Sequence, residues 1–326
     1  MEFVVFGMLF IVVYFLIKKL IVDNMVKINR SLAKITSGNL DTVVDVRTNE
    51  EFASLSDDIN STVLTLKRYI AEAAARIDKE LDFAKAIQHS AIPMVFPPYP
   101  AHGEFDIYAT MDTAKEVGGD FYDFFMVDKD HLAAVVADVS GKGVPAALFM
   151  VIAKTLIKDH AQHGTSPDVV FTEVNRLLCE TNDEGMFVTA WMGILELSTG
   201  HLAYVNAGHN PPLLRRADGK YDYLRTRSGL VLAGMEETRY RSCSLELSPG
   251  DALFIYTDGV TEATDASGQL YGEARLAAVL NANRDCAPEP LLSAVRADVE
   301  AFVGQAPQFD DITALSLCYY GQTPSL

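Results

Sequence analysis

The 326-residue chain is poor in the residues that build zinc, disulfide and nucleic-acid sites. Its four cysteines, Cys179, Cys243, Cys286 and Cys318, lie 64, 43 and 32 residues apart, without a CxxC pair or a histidine–cysteine cluster. That pattern excludes a structural zinc site and a disulfide framework and leaves reduced thiols in or near a core. Basic residues are scarce: 27 Lys and Arg stand against 44 Asp and Glu, a formal net charge of −17. With no basic patch to displace counterions from phosphates, nucleic acid is not a partner. No GxxxxGK[ST] element and no GxGxxG after a strand occurs, so a nucleotide-binding loop is also excluded. What remains is length for about two domains and an apolar content of 49%, enough for a substantial core.

The first 17 residues, MEFVVFGMLFIVVYFLI, carry one charge, Glu2, and are followed by Lys18 and Lys19. With Leu20, Ile21 and Val22 completing the helix and the lysines snorkelling, residues 1–22 read as a transmembrane helix. No basic n-region and no small-x-small site marks a cleaved signal peptide. The lysine-flanked end faces the cytoplasm, which predicts a membrane-anchored protein with the remainder of the chain on the cytoplasmic side. A start inside a membrane helix leaves room for a sensory segment ahead of residue 1. Residues 23–70 then show a helix with Met25, Ile28, Leu32 and Ile35, a connector opening at SGNL (37–40), and a second helix with Leu55, Ile59, Val63 and Leu66. This layout resembles a HAMP signalling module, whose narrow apolar stripes are covered by a second copy in a parallel four-helix bundle, and so predicts a homodimer. Apolar spacing of four and three continues through Ala74, Ile77, Leu81, Ala84, Gln88 and Ala91, a coiled-coil linker over 71–92. Pro93, Pro97, Pro98 and Pro100 end that helix and open a domain over 93–326.

Beyond residue 104 the pattern turns to strands, at 105–111, 131–139, 187–197, 201–208, 252–258 and 312–320. Helical stretches lie at about 144–163, 167–182, 273–283 and 288–303. Short turns between neighbouring strands, LSTGH (197–201) the clearest, favour antiparallel sheets over a βαβ fold. Four motifs carry isolated aspartates: VGGDFYD with Asp120, ADVSGKGVPAAL with Asp138, YTDGVTEA with Asp258, and FDDIT with Asp310 and Asp311. Three of the four place the acid at a strand end and the fourth at a strand start, so distant segments can bring carboxylates to one edge of a sheet sandwich. Hard oxygen ligands without His or Cys select magnesium or manganese. Two such ions about 3.5–4 Å apart can activate water and neutralise a phosphate, which makes phosphomonoester hydrolysis the matching reaction.

Taken in order, VGGDFYD, DVSGKGVPAAL, FVTAWMGILEL with NAGHNPPLL, LSPGDALFIYTDGVTEA and FDDIT resemble the metal-dependent PPM-type serine/threonine phosphatases. The nearest likeness is to the bacterial branch of stage II sporulation protein E and the environmental sigma-factor regulators, and it covers about residues 80 to 320. The resemblance implies an α+β fold, a sandwich of two antiparallel sheets flanked by helices, and two Mn2+ or Mg2+ ions. It implies that Asp138 bridges both ions, that the Val139 carbonyl binds the second, that Asp258 and Asp310 hold the first, and that Asp120 acts through ion-bound water. Asp120 and Asp138 are then the catalytic acids, Asp311 supports Asp310 by hydrogen bonding, and activated water attacks phosphorus with no phosphoenzyme. Lys115 occupies the offset at which animal members carry a phosphate-gripping arginine. Ser140 and Lys142 stand where those members have a histidine, so leaving-group protonation falls to metal-bound water. His209 in NAGHNPP reads as structural, and Asp123 and Glu262 have no assigned chemistry. The substrate implied by the branch is a phosphoserine or phosphothreonine on an anti-anti-sigma-type regulator. The rival readings are a catalytically silent docking module of the same fold, and a HAMP-linked cyclase or histidine kinase, which the missing nucleotide motifs disfavour.

Overall fold

The computed structural model describes residues 2–100, 102–164, 166–217 and 219–322. It divides into two compact units, Met1–Glu80 and Leu81–Leu326.

The first unit opens with helix α1 (Glu2–Ile17), a π-helical stretch (Lys18–Val22) and helix α2 (Asp23–Thr36). The segment Phe3–Thr36 contains one helix long and apolar enough to cross a membrane, and its apolar window is wholly exposed within the chain. An extended connector then lies along the first part of α3 (Glu50–Ala91). Val44 and Val46 bury with Ile28 of α2, and Leu32, Ile35, Phe52 and Ile59 pack around them. Lacking a partner strand, the connector takes its hydrogen bonds from side chains. Asn60 exchanges two with the Val44 backbone at 2.9 and 2.8 Å, Ser56 two with Val46, and Asn24 donates to Thr48 at 2.6 Å. Buried backbone groups need partners, which explains polar Asn24 and Ser56 inside an otherwise apolar interface. Met25, Leu55, Leu66, Ile70 and Ile77 remain exposed.

The second unit is a two-sheet sandwich. One sheet has the order β1 (Phe105–Asp112), β10 (Ile312–Tyr319), β9 (Ala252–Tyr256), β6 (Leu213–Arg215), β7 (Tyr221–Tyr223). The other runs β2 (Phe121–Met126), β3 (His131–Val139), β4 (Val188–Glu196), β5 (His201–Ala207), β8 (Cys243–Glu246). Every ladder between these strands is antiparallel. Alternation of period two decides which side chains go where. Leu132, Ala134 and Val136 of β3 and Leu315 and Leu317 of β10 enter the shared interior, while Ala133, Val135 and Ala137 face outward under helices. Helices α4 (Val144–Ala161) and α5 (Pro167–Glu180) cover the second sheet, and α7 (Gly272–Ala282) and α8 (Pro288–Val303) cover the first. With both faces buried, the strands read as nearly continuous apolar runs. The α+β sandwich of two antiparallel sheets flanked by helices is therefore as the sequence indicates. The short strands β6, β7 and β8 and the four-residue helix α6 (Asp258–Thr261) carry no comparable sequence pattern.

Asp123 resolves within this layering. It shares the outward parity of Phe121 and Phe125, and its Oδ2 meets Lys154 of α4 at 2.5 Å, both groups being buried. Its Oδ1 accepts from the Phe124 backbone at 2.9 Å, and Lys158 stands 3.8 Å off. Removing one partner of a buried pair leaves an uncompensated charge, at a cost of about 3 kcal/mol or more. Lys154→Met is therefore expected to lower unfolding stability by about 3 kcal/mol, and adding Asp123→Asn to recover much of the loss. Urea denaturation of the two variants checks this; equal stability of the single variant and the parent would remove the claim.

Candidate metal centre

Two antiparallel pairs, one in each sheet, build the centre. In the second sheet Phe121 faces Ala137, so Asp120, one step before β2, comes beside Asp138, one step after Ala137. In the first, Tyr256 faces Ala314 and the Thr257 amide donates to the Thr313 carbonyl at 3.0 Å. That register sets Asp258, just past β9, near Asp310 and Asp311, just before β10. The placement by strand ends needs a correction. Asp138 and Asp258 follow or end strands, whereas Asp120 and Asp310 precede them, two and two. An antiparallel pair requires this: the end of one strand lies beside the start of its neighbour.

The two sheets are stitched at this edge. The Thr257 hydroxyl donates to Asp120 Oδ2 at 2.6 Å and accepts from the Thr313 amide at 3.0 Å. Asp311 is buried, and its carboxylate accepts from the amides of Ala114 and Gly119, each at 2.8 Å. Its own amide donates to Asp310 Oδ1 at 3.0 Å. Glycine is required where these segments meet. A Cβ on Gly119 would stand 2.7 Å from the Val139 carbonyl oxygen, and one on Gly259 only 1.9 Å from the Asp311 carbonyl oxygen. Gln88 joins this constellation. Spaced like a seam position, it is buried, and its amide donates to the Gly118 carbonyl at 2.7 Å and accepts from the Gly118 amide at 3.2 Å. A polar residue in an apolar register was the available signal.

Electrostatics follow from crowding. Burial, then Asp138 and Asp311, raise Asp120 well above the usual carboxylate range, with Thr257 opposing. Asp138 is pushed up to about 7 by burial and by Asp258 and Asp310, with a hydrogen bond to Asp120 opposing. Asp258 is raised by burial, then by Glu262 and Asp310, which gives Glu262 a place in the same field. Among the described residues no three acidic, histidine or cysteine side chains form a ready-made cation cage. The acids nevertheless share one field, Asp120 and Asp138 within hydrogen-bonding reach of each other. The donor set fits hard divalent cations: carboxylates and a backbone carbonyl, without nitrogen or sulfur. Positive charge there offsets both the repulsion and the burial cost.

Lys115 is exposed, its side chain passing close to Gly143. Among the described residues Lys142 is the cation that reaches the acids, 2.9 Å from Asp310 Oδ2. His209 is buried behind the centre, its Nδ1 2.9 Å from the hydroxyl of Thr189, the residue paired with Asp138 across β3 and β4. Burial pushes its pKa down to about 4, the Tyr256 backbone opposing, so the ring is neutral.

The raised Asp138 makes the metal-stripped protein pH-sensitive. Its folded pKa of about 7 lies above the unfolded 3.8, so the folded state binds the extra proton. The resulting stability is fully present below pH 3.8 and is lost as pH rises through about 7. With chelator, the Tm is expected to fall between pH 5 and pH 8. Asp138→Asn should flatten that slope, raise Tm at pH 8 by about 5 °C, and abolish stabilisation by Mn2+. Scanning calorimetry with EDTA and with Mn2+ measures all three; a variant less stable than the parent in EDTA at pH 8 would refute the repulsion argument.

Comparison with known proteins agrees with this fold. The SiaA PP2C domain of Pseudomonas aeruginosa superposes with a TM-score of 0.66 at 24% identity, over 77% of this chain and 99% of that one. Protein IcfG of a Synechocystis strain is 29% identical over 265 residues, 73% of this chain and 41% of its own length. Phosphoserine phosphatase RsbU of Bacillus subtilis is 30% identical over 194 residues, 60% of this chain and 57% of its own. The chain spans about half the length of the curated relatives it matches. The family model for stage II sporulation protein E matches residues 128–320, which takes in Asp138, Asp258 and Asp310 and leaves Asp120 just ahead of it. That match covers more than half of the chain, and the protein belongs to the stage II sporulation protein E (SpoIIE) family.

Proposed function

We propose that the chain is a membrane-anchored, signal-regulated protein serine/threonine phosphatase dependent on two divalent ions, Mn2+ or Mg2+. The observation that carries the reading is the meeting of Asp120, Asp138, Asp258 and Asp310 from two sheets at one edge, with the pKa values of three of them raised partly by one another. Asp138 with the Val139 carbonyl, and Asp258 with Asp310, would hold the ions; Asp120, tied by Thr257, would orient water. Bound divalent ions supply charge neutralisation for the phosphate and lower the pKa of water. The chain's own part is to fix the acids: Asp311 and Gln88 hold the glycine turn before Asp120, and β3 delivers Asp138. The proposed substrate is a phosphoserine or phosphothreonine of an anti-anti-sigma-type regulator, in line with the phosphoserine phosphatase named among the relatives.

The domain reading that accompanies this is a membrane helix over 1–22, a HAMP-like module over 23–70, a coiled-coil linker over 71–92 and a phosphatase domain over 93–326. The exposed Met25, Leu55, Leu66, Ile70 and Ile77 support a homodimer, in which a second copy would cover them. Gln88 gives regulation a physical handle, because a shift of the last turns of α3 acts on the Gly118 backbone two residues from Asp120.

Two experiments test the proposal. Hydrolysis of an aryl phosphate by the whole chain in detergent should require Mn2+ or Mg2+ and fall at least a hundredfold in Asp138→Asn. Metal-independent turnover, or full turnover by the variant, would rule out the phosphatase reading. Gln88→Leu should leave the fold intact by circular dichroism and reduce turnover about tenfold; parent-like turnover would remove Gln88 from the regulatory route.

A further inference from the structure

The geometry points to Lys142 as a positioning residue: an internal, displaceable counter-cation at Asp310, which a divalent ion must dislodge to take the same carboxylate oxygen. This inference rests on Asp310 being an ion ligand. Three contacts fix the ammonium. It lies 2.9 Å from Asp310 Oδ2, donates to the Phe309 carbonyl, and stands 3.9 Å from the centre of the exposed Phe309 ring. The second Asp310 oxygen accepts from the Asp311 amide, so neither oxygen is idle. An ion binding Oδ2 competes with the ammonium for one lone-pair region, and two cations that close repel.

The surroundings allow the exchange. Lys142 sits between Gly141 and Gly143, with φ of +91° and +79°, conformations that only glycine adopts readily. The loop is anchored at its base by the Ser140 amide on the Phe187 carbonyl at 2.8 Å and by the Ser140 hydroxyl accepting from the Phe187 amide at 2.9 Å. On the other side Gln308 donates to the carbonyls of Asp112 and Asp310 at 2.9 and 2.8 Å, fixing the backbone that carries Asp310. Both side chains of the pair are 31% exposed. An ion pair open to water on one side is weak enough to be displaced, and the lysine stem can swing without disturbing β3 or β10. The ammonium thereby neutralises Asp310 in the crowded acid field and sets a threshold for ion binding at that ligand.

Mn2+ titration by calorimetry, on the whole chain in detergent, tests this without recourse to activity. Lys142→Met should tighten Mn2+ binding about tenfold. Two variants separate displacement from the general loss of a positive charge. Lys115→Met removes a charge from a neighbouring side chain with no ion pair among the described residues, and should change affinity less than threefold. Phe309→Leu removes no charge, only the ring under the ammonium, and should tighten binding two- to threefold. Equal effects of Lys142→Met and Lys115→Met, or weaker binding in Lys142→Met, would overturn the inference while leaving Asp310 as a ligand. Parent protein that binds no Mn2+ at all would overturn the ligand reading and the inference with it.

Discussion

Repulsion among carboxylates that the fold forces together is the constraint on which the sandwich unit depends. Asp120 is fully buried, and Asp138, Asp258 and Asp310 are only partly open to water, yet all lie in one field. Such a cluster is unfavourable for an isolated sandwich, because burial and like charge both oppose ionisation. The surrounding structure supplies what partial relief it can: the Thr257 hydroxyl on Asp120, the Asp311 amide and Lys142 on Asp310. Each relieves one acid locally, and the remaining strain is what divalent charge would remove.

The cost is tolerated because the rest of the unit is tightly specified. Three apolar layers, one between the sheets and one under each helical pair, hold four strand ends in register. Asp311 ties β10 to the glycine turn ahead of β2, and Thr257 ties β9 to the same turn, so the edge cannot splay to lower its repulsion. The buried Asp123–Lys154 pair, on the opposite face of β2, fixes that strand against α4. Acids with similar local sequence thus have opposite fates. Asp120 points between the sheets toward other acids, while Asp123, three residues on, points outward to a lysine.

The amino-terminal unit follows a different logic. Its connector has no sheet to join, so side chains of Asn24, Ser56 and Asn60 take the hydrogen bonds a partner strand would make. Its apolar residues are split between a small buried cluster and an exposed stripe.

Much of the fold was legible in the sequence. The strands at 105–112, 131–139 and 312–319 and helices α4, α5, α7 and α8 follow from apolar periodicity and turn residues, which are local properties. So were the acids, through the order and spacing of four motifs, VGGDFYD, ADVSGKGVPAAL, YTDGVTEA and FDDIT, rather than through any one aspartate. Other features were not legible. Gln88 looked like a seam residue, Asp123 had no partner within reach in sequence, and Lys142 was one lysine among many until the loop bearing it met Phe309 and Asp310. Strands β6 and β8 are three and four residues long, too short for a period to register. The sequence by itself determined the elements and the kinds of ligand atom. Only the tertiary structure decided which acids face one another, since that depends on antiparallel register and strand parity across segments up to 192 residues apart. A one-residue shift in either pair would turn the same carboxylates to the opposite face.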